Sequence, residues 1–240
     1  RIRPRSSGLD ARVAVLVPVL DEEARLGPCL EGLAAQGPEV VEILVIDGGS
    51  TDATPDIVAR MAARDARIRL VDATPVPAGR NGKAHGLQAG FAASDPAADW
   101  ILTIDADVRP APLLTRSLLA HARETGVPAL SAATLQRLSG VAEGLVHPAM
   151  LATLVYRFGI PGHATDDIAR VQANGQCFLV QRDVLAAAGG FAVGLGSLCE
   201  DVTVARAIAA NGVEVGFYEA DGLVAVEMYA GWRDAWDNWS

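Results

Sequence analysis

The sequence predicts an α/β domain built on a mainly parallel, Rossmann-like sheet flanked by helices. Three observations carry that prediction. Short apolar runs alternate with helix-period segments through the first half of the chain. The runs are rich in Val, Ile and Leu without polar alternation, the pattern of strands buried on both faces. The chain is 50% hydrophobic but only 5% aromatic, so Ala, Val and Leu must fill the core.

Taken in order, residues Arg1 to Asp10 are polar, with Pro, Ser and Gly, and read as a tail. Val13-Ala-Val-Leu-Val-Pro18 is the first strand, and Glu22 to Gln36 a helix with Leu26, Leu30 and Leu33 on one face. Glu42 to Ile46 is the second strand and stops at Asp47-Gly-Gly; Ser50, Thr51 and Asp52 then offer capping oxygens to a helix running to about Ala66. Arg67 to Val71 is a third strand, and Gly82 to Ser94 a helix leaving a Gly-rich loop. Trp100 to Ile104 is a fourth strand, and Pro110 to Thr125 a helix with Pro near its start. Strand–helix alternation at this spacing implies right-handed crossovers and parallel pairing.

After a strand at Ala129 to Leu135 the rhythm changes. Residues 139–165 are apolar with polar breaks and carry no clear period. A strand at Gln176 to Val180, helices at Asp183 to Ala188 and Asp201 to Ala210, and strands at Val213 to Tyr218 and Leu223 to Glu227 complete a smaller, mixed C-terminal half. No internal repeat or clean linker divides the chain, so residues 11–230 read as one domain of two halves, 11–110 and 111–230.

Composition narrows the ligands. A net charge of −9 argues against nucleic acid held on a broad basic face, and an anionic substrate would need a metal ion or a few placed cations. Cys29, Cys177 and Cys199 are odd in number and lack CxxC spacing, which fits reduced thiols in a cytosolic compartment and gives a zinc site little support. There is no signal peptide and no run of about 18 apolar residues; Val141 to Pro161 is broken by Glu143, His147 and Arg157. The chain begins with Arg and ends just after a Trp-rich run, as a fragment of a longer protein would.

Carboxylates gather where strands end: Asp21 and Glu22, then Asp47, then Asp105 and Asp107. Open parallel sheets bind ligands beyond the carboxyl ends of their strands. Any one of these residues could be a turn or cap residue; as a set they point to one edge. Alternate residues at a strand's end can aim two carboxylates into the same space. Two such charges about 4 Å apart repel by roughly 4 kcal/mol at an effective dielectric near 20. A divalent cation offsets that, and Mg²⁺ or Mn²⁺ takes one or two carboxylates plus phosphate oxygens. Lys83, the only lysine, sits in Gly79-Arg-Asn-Gly-Lys-Ala, where backbone and helix N-terminus can meet phosphate; a solvated loop lysine is the alternative.

Val17-Pro-Val-Leu-Asp-Glu-Glu23, Val45-Ile-Asp-Gly-Gly-Ser-Thr-Asp52, Gly82-Lys83, Asp105-Ala-Asp107, Gly189-Gly-Phe191 and Glu200-Asp201 follow one another as in family 2 glycosyltransferases of the GT-A fold. The resemblance covers roughly residues 12–230. It implies a nucleotide-binding half over 11–110 and an acceptor-binding half over 111–230. It implies that Asp47, with Pro18, Asp21 and Glu22 beside it, meets the nucleoside of a UDP- or GDP-linked sugar. Lys83 would touch the diphosphate, Asp105 and Asp107 would hold Mg²⁺ or Mn²⁺, and Glu200-Asp201 would face the acceptor with Asp201 as general base. Displacement at the anomeric carbon would then invert it. An ordinary acidic helix start is the other account of Glu200-Asp201.

The chain departs from the family's pattern at Asp47-Gly-Gly, where many relatives carry two Asp, and at Gln88, where Asn is common. No Gln-x-x-Arg-Trp occurs, which favours single-sugar transfer over polymer synthesis. Trp232, Trp236 and Trp239 share one helical face within 231–240, suited either to a core or to a membrane interface, and Leu145 to Ile160 offers a second apolar face. The expected acceptor is a lipid or other hydrophobic alcohol, of the polyprenyl-phosphate, hopanoid or carotenoid kind met in similar transferases, reached at the cytoplasmic face of the membrane. Two other readings stay open: a nucleotide-sugar-binding protein without catalysis, and a sugar-phosphate nucleotidyltransferase. The second would want a basic Gly-rich loop after strand one, where this chain has Val-Leu-Asp-Glu-Glu; a dinucleotide-binding GxGxxG is missing there too.

Overall fold

The computed structural model describes residues 1–6, 10–136, 160–220 and 222–226. Among them, eight strands form one sheet in the order β3-β2-β1-β4-β9-β6-β10-β8. These are β1 (Val13–Val19), β2 (Val40–Asp47), β3 (Ile68–Asp72), β4 (Trp100–Ile104), β6 (Ala129–Ala133), β8 (His163–Thr165), β9 (Cys177–Gln181) and β10 (Val215–Glu219). β3, β2, β1 and β4 run parallel, as do β6 and β10. β9 lies antiparallel between β4 and β6, and β8 is antiparallel on β10. A second sheet joins β5 (Val108–Pro110), β11 (Val224–Val226) and β7 (Leu135–Gln136), with β11 in the middle.

The central strands β1, β4 and β9 are almost wholly apolar because both faces of the large sheet are covered there. Val13, Val15, Val17 and Val19 of β1 enter one core with Leu26, Leu30 and Leu33 of helix α1 (Leu26–Ala34), Val58 of α2 (Thr54–Ala62) and Leu114, Leu118 and Leu119 of α4 (Leu114–Thr125). Ala14 and Leu16 enter the opposite core with Leu87 of α3 (Gly82–Ala93), Leu185 of α5 (Arg182–Ala187), Phe191 of a 3₁₀ turn (Gly190–Gly194) and Val204, Ala205 and Ile208 of α6 (Glu200–Ala210). The period-2 pleat thus splits each strand between two hydrophobic layers. Gly90 lets α3 approach the sheet: a β-carbon there would lie 2.7 Å from Ile46 Cγ1.

Several expectations shift. The N-terminal segment is docked: Ile2 is fully buried, its N–H donates to Glu219 O at 2.7 Å, and Arg5 pairs with Glu124. The helix expected from Pro110 begins at Leu114, because Pro110 is spent on β5. The helix expected from Glu22 begins at Leu26; the Glu22 N–H donates to Thr54 Oγ1 instead. The predicted capping oxygens of α2 are divided: the Ser50 hydroxyl donates to Asp47, the Thr51 N–H and hydroxyl donate to Asp21, and only Asp52 reaches forward, to the Thr54 N–H. The strand expected over Ala129 to Leu135 is two, broken at Thr134. Trp232, Trp236, Trp239 and all of Leu145 to Ile160 except Ile160 lie outside the described residues; Ile160 is exposed.

Candidate active site

The chain leaves β1 for β2 and β3 on one side and returns to place β4 on the other, so the strand order reverses beside β1. That switch point opens a crevice at the strands' carboxyl ends. A cleft of about 420 Å³ occupies it. Pro18, Val19 and Leu20 come from the end of β1, Ile46 and Gly48 from the end of β2, and Asp105, Ala106 and Asp107 from the end of β4. Gly82, Lys83 and Gly86 of α3 form another wall, with Glu22 and Arg25 opposite in chain order.

Four of the predicted residues, Glu22, Lys83, Asp105 and Asp107, bring charge into this cleft, with Pro18 beside them. Lys83 Nζ lies 2.7 Å from Asp105 Oδ1, 2.8 Å from Oδ2 and 3.2 Å from Glu200 Oε1. The lysine is therefore no solvated loop residue. Burial opposes its charge, but the two carboxylates win and hold its proton above the usual lysine range. Burial pushes the Asp105 carboxyl up, with Lys83 counteracting. Burial, then the charge of Asp105, pushes Asp107 up to about 6. Glu22 is also raised by burial against the pull of Arg25, whose Nε sits 2.8 Å from Glu22 Oε2.

Asp107 Oδ1 is buried with no hydrogen-bond partner among the described residues. Asp105 Oδ1 touches Lys83 but takes no well-aligned hydrogen bond. An acceptor-only oxygen turned inward without a donor, as Asp107 Oδ1 is, fits a hard divalent cation. No group of three His, Cys, Asp or Glu side chains among the described residues could hold a metal, so the remaining ligands would be phosphate oxygens and water. Burial raises the Cys29 thiol well above its usual range, which leaves it a packed thiol whose Sγ donates to Asp105 O at 3.5 Å.

Glu200 and Asp201 open α6, but neither acts as a free acidic cap. Glu200 is buried and meets Lys83, while Asp201 Oδ2 accepts from the Gly175 N–H at 2.8 Å and Oδ1 from the Val202 N–H at 2.7 Å. Gly175 separates the two charged groups: a β-carbon there would lie 3.1 Å from Lys83 Nζ and 3.3 Å from Asp201 Oδ2.

Asp21 and Asp47 sit differently. Asp21 takes the left-handed backbone, φ 51°, and its Oδ1 accepts from Thr51 at 2.7 Å, tying the loops after β1 and β2 together outside the cleft lining. Asp47 Oδ1 accepts from the Gly49 and Ser50 N–H groups and the Ser50 hydroxyl, shaping the turn whose Gly48 lines the cleft. Gln88, one of the departures, lies outside the cleft lining; its Oε1 accepts from the Ala192 N–H at 3.0 Å.

Sequence reasoning missed Arg25, Asn81, Gly175 and Gln176. Asn81 caps α3 through Oδ1 to the Ala84 N–H, and its Nδ2 donates to Ser197 O at 2.9 Å and toward Glu200 Oε2 at 3.4 Å. Its place one residue before Gly82-Lys83 was a readable capping signal. Gln176 O accepts from the Asp105 N–H at 3.3 Å, a contact with no local signature.

A family model described as Glycosyl transferase family 2 matches residues 14–186. The putative glycosyltransferase EpsH of Bacillus subtilis (strain 168) is 33% identical over 91 residues, 37% of this chain and 26% of that protein. Glycosyltransferase GlyA of Streptococcus pneumoniae serotype 4 is 30% identical over 95 residues, 39% of this chain and 14% of its own length. The matched segment therefore spans about a quarter or less of these relatives. Among solved structures, the mannosyltransferase PcManGT of Pyrobaculum calidifontis, in complex with GDP-Man and Mn²⁺, superposes with a TM-score of 0.70 at 22% identity, over 98% of this chain and 62% of that one. Glucosyl-3-phosphoglycerate synthase of Mycobacterium tuberculosis with UDP gives 0.57 at 21% identity, over 93% and 73%. The architecture is the GT-A fold of these enzymes. A switch-point cleft with two inward carboxylates, and a family match across well over half of its residues, show that the chain belongs to glycosyl transferase family 2.

Proposed function

We propose that the protein is an inverting glycosyltransferase that moves one sugar from a UDP- or GDP-linked donor to a hydroxyl on a lipid or other hydrophobic acceptor. The observation that carries this is the meeting of Lys83, Asp105, Asp107 and Glu200-Asp201 from three separate stretches of chain around one crevice. The 11–110 half binds the donor and the 111–230 half the acceptor. Pro18, Glu22 and the Asp47 turn seat the nucleoside, with Asp21 holding that turn in place; Asp47 Oδ2 takes no hydrogen bond among the described residues and is the oxygen available to it. Asp105 and Asp107 hold Mg²⁺ or Mn²⁺. Bound there, the cation would neutralise the paired carboxylates and would offset charge on the departing nucleoside diphosphate.

Lys83 adds positive charge on the diphosphate side, with Glu200 Oε1 3.2 Å from its Nζ. Asp201 takes the acceptor hydroxyl's proton as that oxygen bonds to the anomeric carbon. The anomeric carbon–phosphate oxygen bond breaks on the opposite face, its electron pair leaving with the diphosphate. Gly175, donating to Asp201 Oδ2, holds the carboxylate in place for this.

The acceptor side works at the cytoplasmic membrane surface, reached through Trp232, Trp236 and Trp239; what supports this is their i, i+4, i+7 spacing in the sequence. Among the described residues no helix is long and apolar enough to cross a membrane. Two measurements test the proposal. Release of UDP or GDP from a panel of nucleotide sugars should require Mn²⁺ or Mg²⁺ and fall at least about a hundredfold in Asp201→Asn, as loss of a general base implies. Unchanged turnover in that variant removes the base assignment. Absence of liposome flotation, with no difference in the double variant Trp232→Ala and Trp236→Ala, removes the membrane assignment.

A further inference from the structure

We infer that Lys83 is the resident counter-cation of the metal site: without donor it occupies Asp105 against divalent metal, and the donor's diphosphate draws it off and admits the metal. The inference rests on the donor reading above and adds an order to binding. Lys83 Nζ engages both oxygens of Asp105, at 2.7 and 2.8 Å, with a third contact to Glu200 Oε1 at 3.2 Å. The ammonium thus donates to Asp105 Oδ2 and stands in ion-pair contact with Asp105 Oδ1 and Glu200 Oε1. A divalent ion bound to Asp105 would face this ammonium at contact range, with twice the repulsion of two unit charges. Asp107 is left with a buried oxygen that nothing among the described residues satisfies. One half of the metal pair is thus taken and the other half waits.

The pose is built. Asn81 caps α3 two residues before Lys83 and reaches Glu200, so the lysine's backbone and its far anchor are fixed together. Gly175 leaves the space in which Nζ lies. Yet Lys83 lines the cleft with 30% of its side chain exposed, and its flexible stem can turn the ammonium toward a phosphate placed there. Linkage requires reciprocity: diphosphate tightens metal by the same factor by which metal tightens diphosphate.

The test is Mn²⁺ binding by calorimetry to the whole chain, without nucleotide and then with UDP or GDP. Lys83→Met should bind Mn²⁺ alone about tenfold tighter than wild type, and nucleotide should sharpen its Mn²⁺ affinity less, within the roughly 5- to 150-fold usual for coupled sites. Lys83→Gln, which keeps a donor for Glu200 without the charge, should move the same way. Arg25→Gln removes a cation of the same cleft that pairs with Glu22, and should change Mn²⁺ affinity by no more than about threefold. Equal or weaker Mn²⁺ binding in both lysine variants overturns the inference, as does an equal gain in Arg25→Gln. If Asp107→Asn abolishes Mn²⁺ binding while wild type and Lys83→Met match, only the inference falls. If no form binds Mn²⁺ with or without nucleotide, the metal reading falls with it.

Discussion

Acidification offers a direct reading of Asp107. Burial and the neighbouring Asp105 hold its carboxyl at about 6 rather than 3.8. A metal that needs the ionised carboxylate must displace a proton below that point. Its apparent dissociation constant then rises by about 2-fold at pH 6 and about 10-fold at pH 5 relative to pH 8, whereas an unshifted carboxylate would change it by less than about 10%. The ligand-free protein carries the converse cost. With a raised folded pKa, the group's stabilising contribution is present below about pH 4 and is lost as pH rises through 6. The shift of about two units sets an upper bound of roughly 3 kcal/mol on that loss. Calorimetric Mn²⁺ titrations in the presence of a nucleotide sugar, whose diphosphate diester stays ionised throughout, at pH 5, 6, 7 and 8, paired with urea unfolding of wild type and Asp107→Asn in chelator, measure both. Asp107→Asn should be the more stable protein at pH 8 and lose that advantage near pH 4. A Mn²⁺ affinity that is flat from pH 5 to 8, or an Asp107→Asn variant no more stable in chelator at pH 8, refutes the assignment of a buried, metal-waiting carboxylate.

Asn81→Ser keeps an N-cap oxygen but loses the amide donors to Ser197 and Glu200, so kcat should fall about tenfold with donor affinity within about twofold; Asn81→Ala should lose a further ~1 kcal/mol of stability in urea, the usual worth of a cap. Gly175→Ala forces a methyl against Lys83 Nζ, Asp201 Cβ and Asp201 Oδ2 and should cut single-turnover transfer about tenfold, read against the melting temperature of the same variant. Arg116 faces Glu39 through two 3.2 Å contacts, and the glutamate side chain is 1% exposed; Arg116→Met should cost ~3–5 kcal/mol in denaturant unfolding, and adding Glu39→Gln should recover much of it, because the penalty is an unpaired buried charge.

Most of the first half of the fold was legible. Leu26, Leu30 and Leu33 are all fully buried, and Trp100 to Ile104 is a strand with its predicted ends. Periodicity and strand ends are recorded within a few residues of each other, so local reading recovers them. The place of Asp105 and Asp107 beyond an apolar strand was legible for the same reason. The docking of the N-terminus was not, because a single Ile2 in a polar segment carries no period. Nor was the direction of β9: a strand buried on both faces reads the same whichever way it runs, and only its neighbours β4 and β6 orient it.

The sequence by itself determined an α/β sheet with apolar strands, the acidic residues at their ends, and a single lysine set before a helix. Tertiary structure alone decided what that lysine does. Lys83 and Asp105 stand 22 residues apart, and Asn81 and Glu200 stand 119 apart. Contacts at such separations leave no trace in a local pattern, because each partner's type is also what a turn, a cap or a solvated face would select. The sheet's switch point brings them within 3.5 Å, and there the charge of one becomes the condition for burying the other.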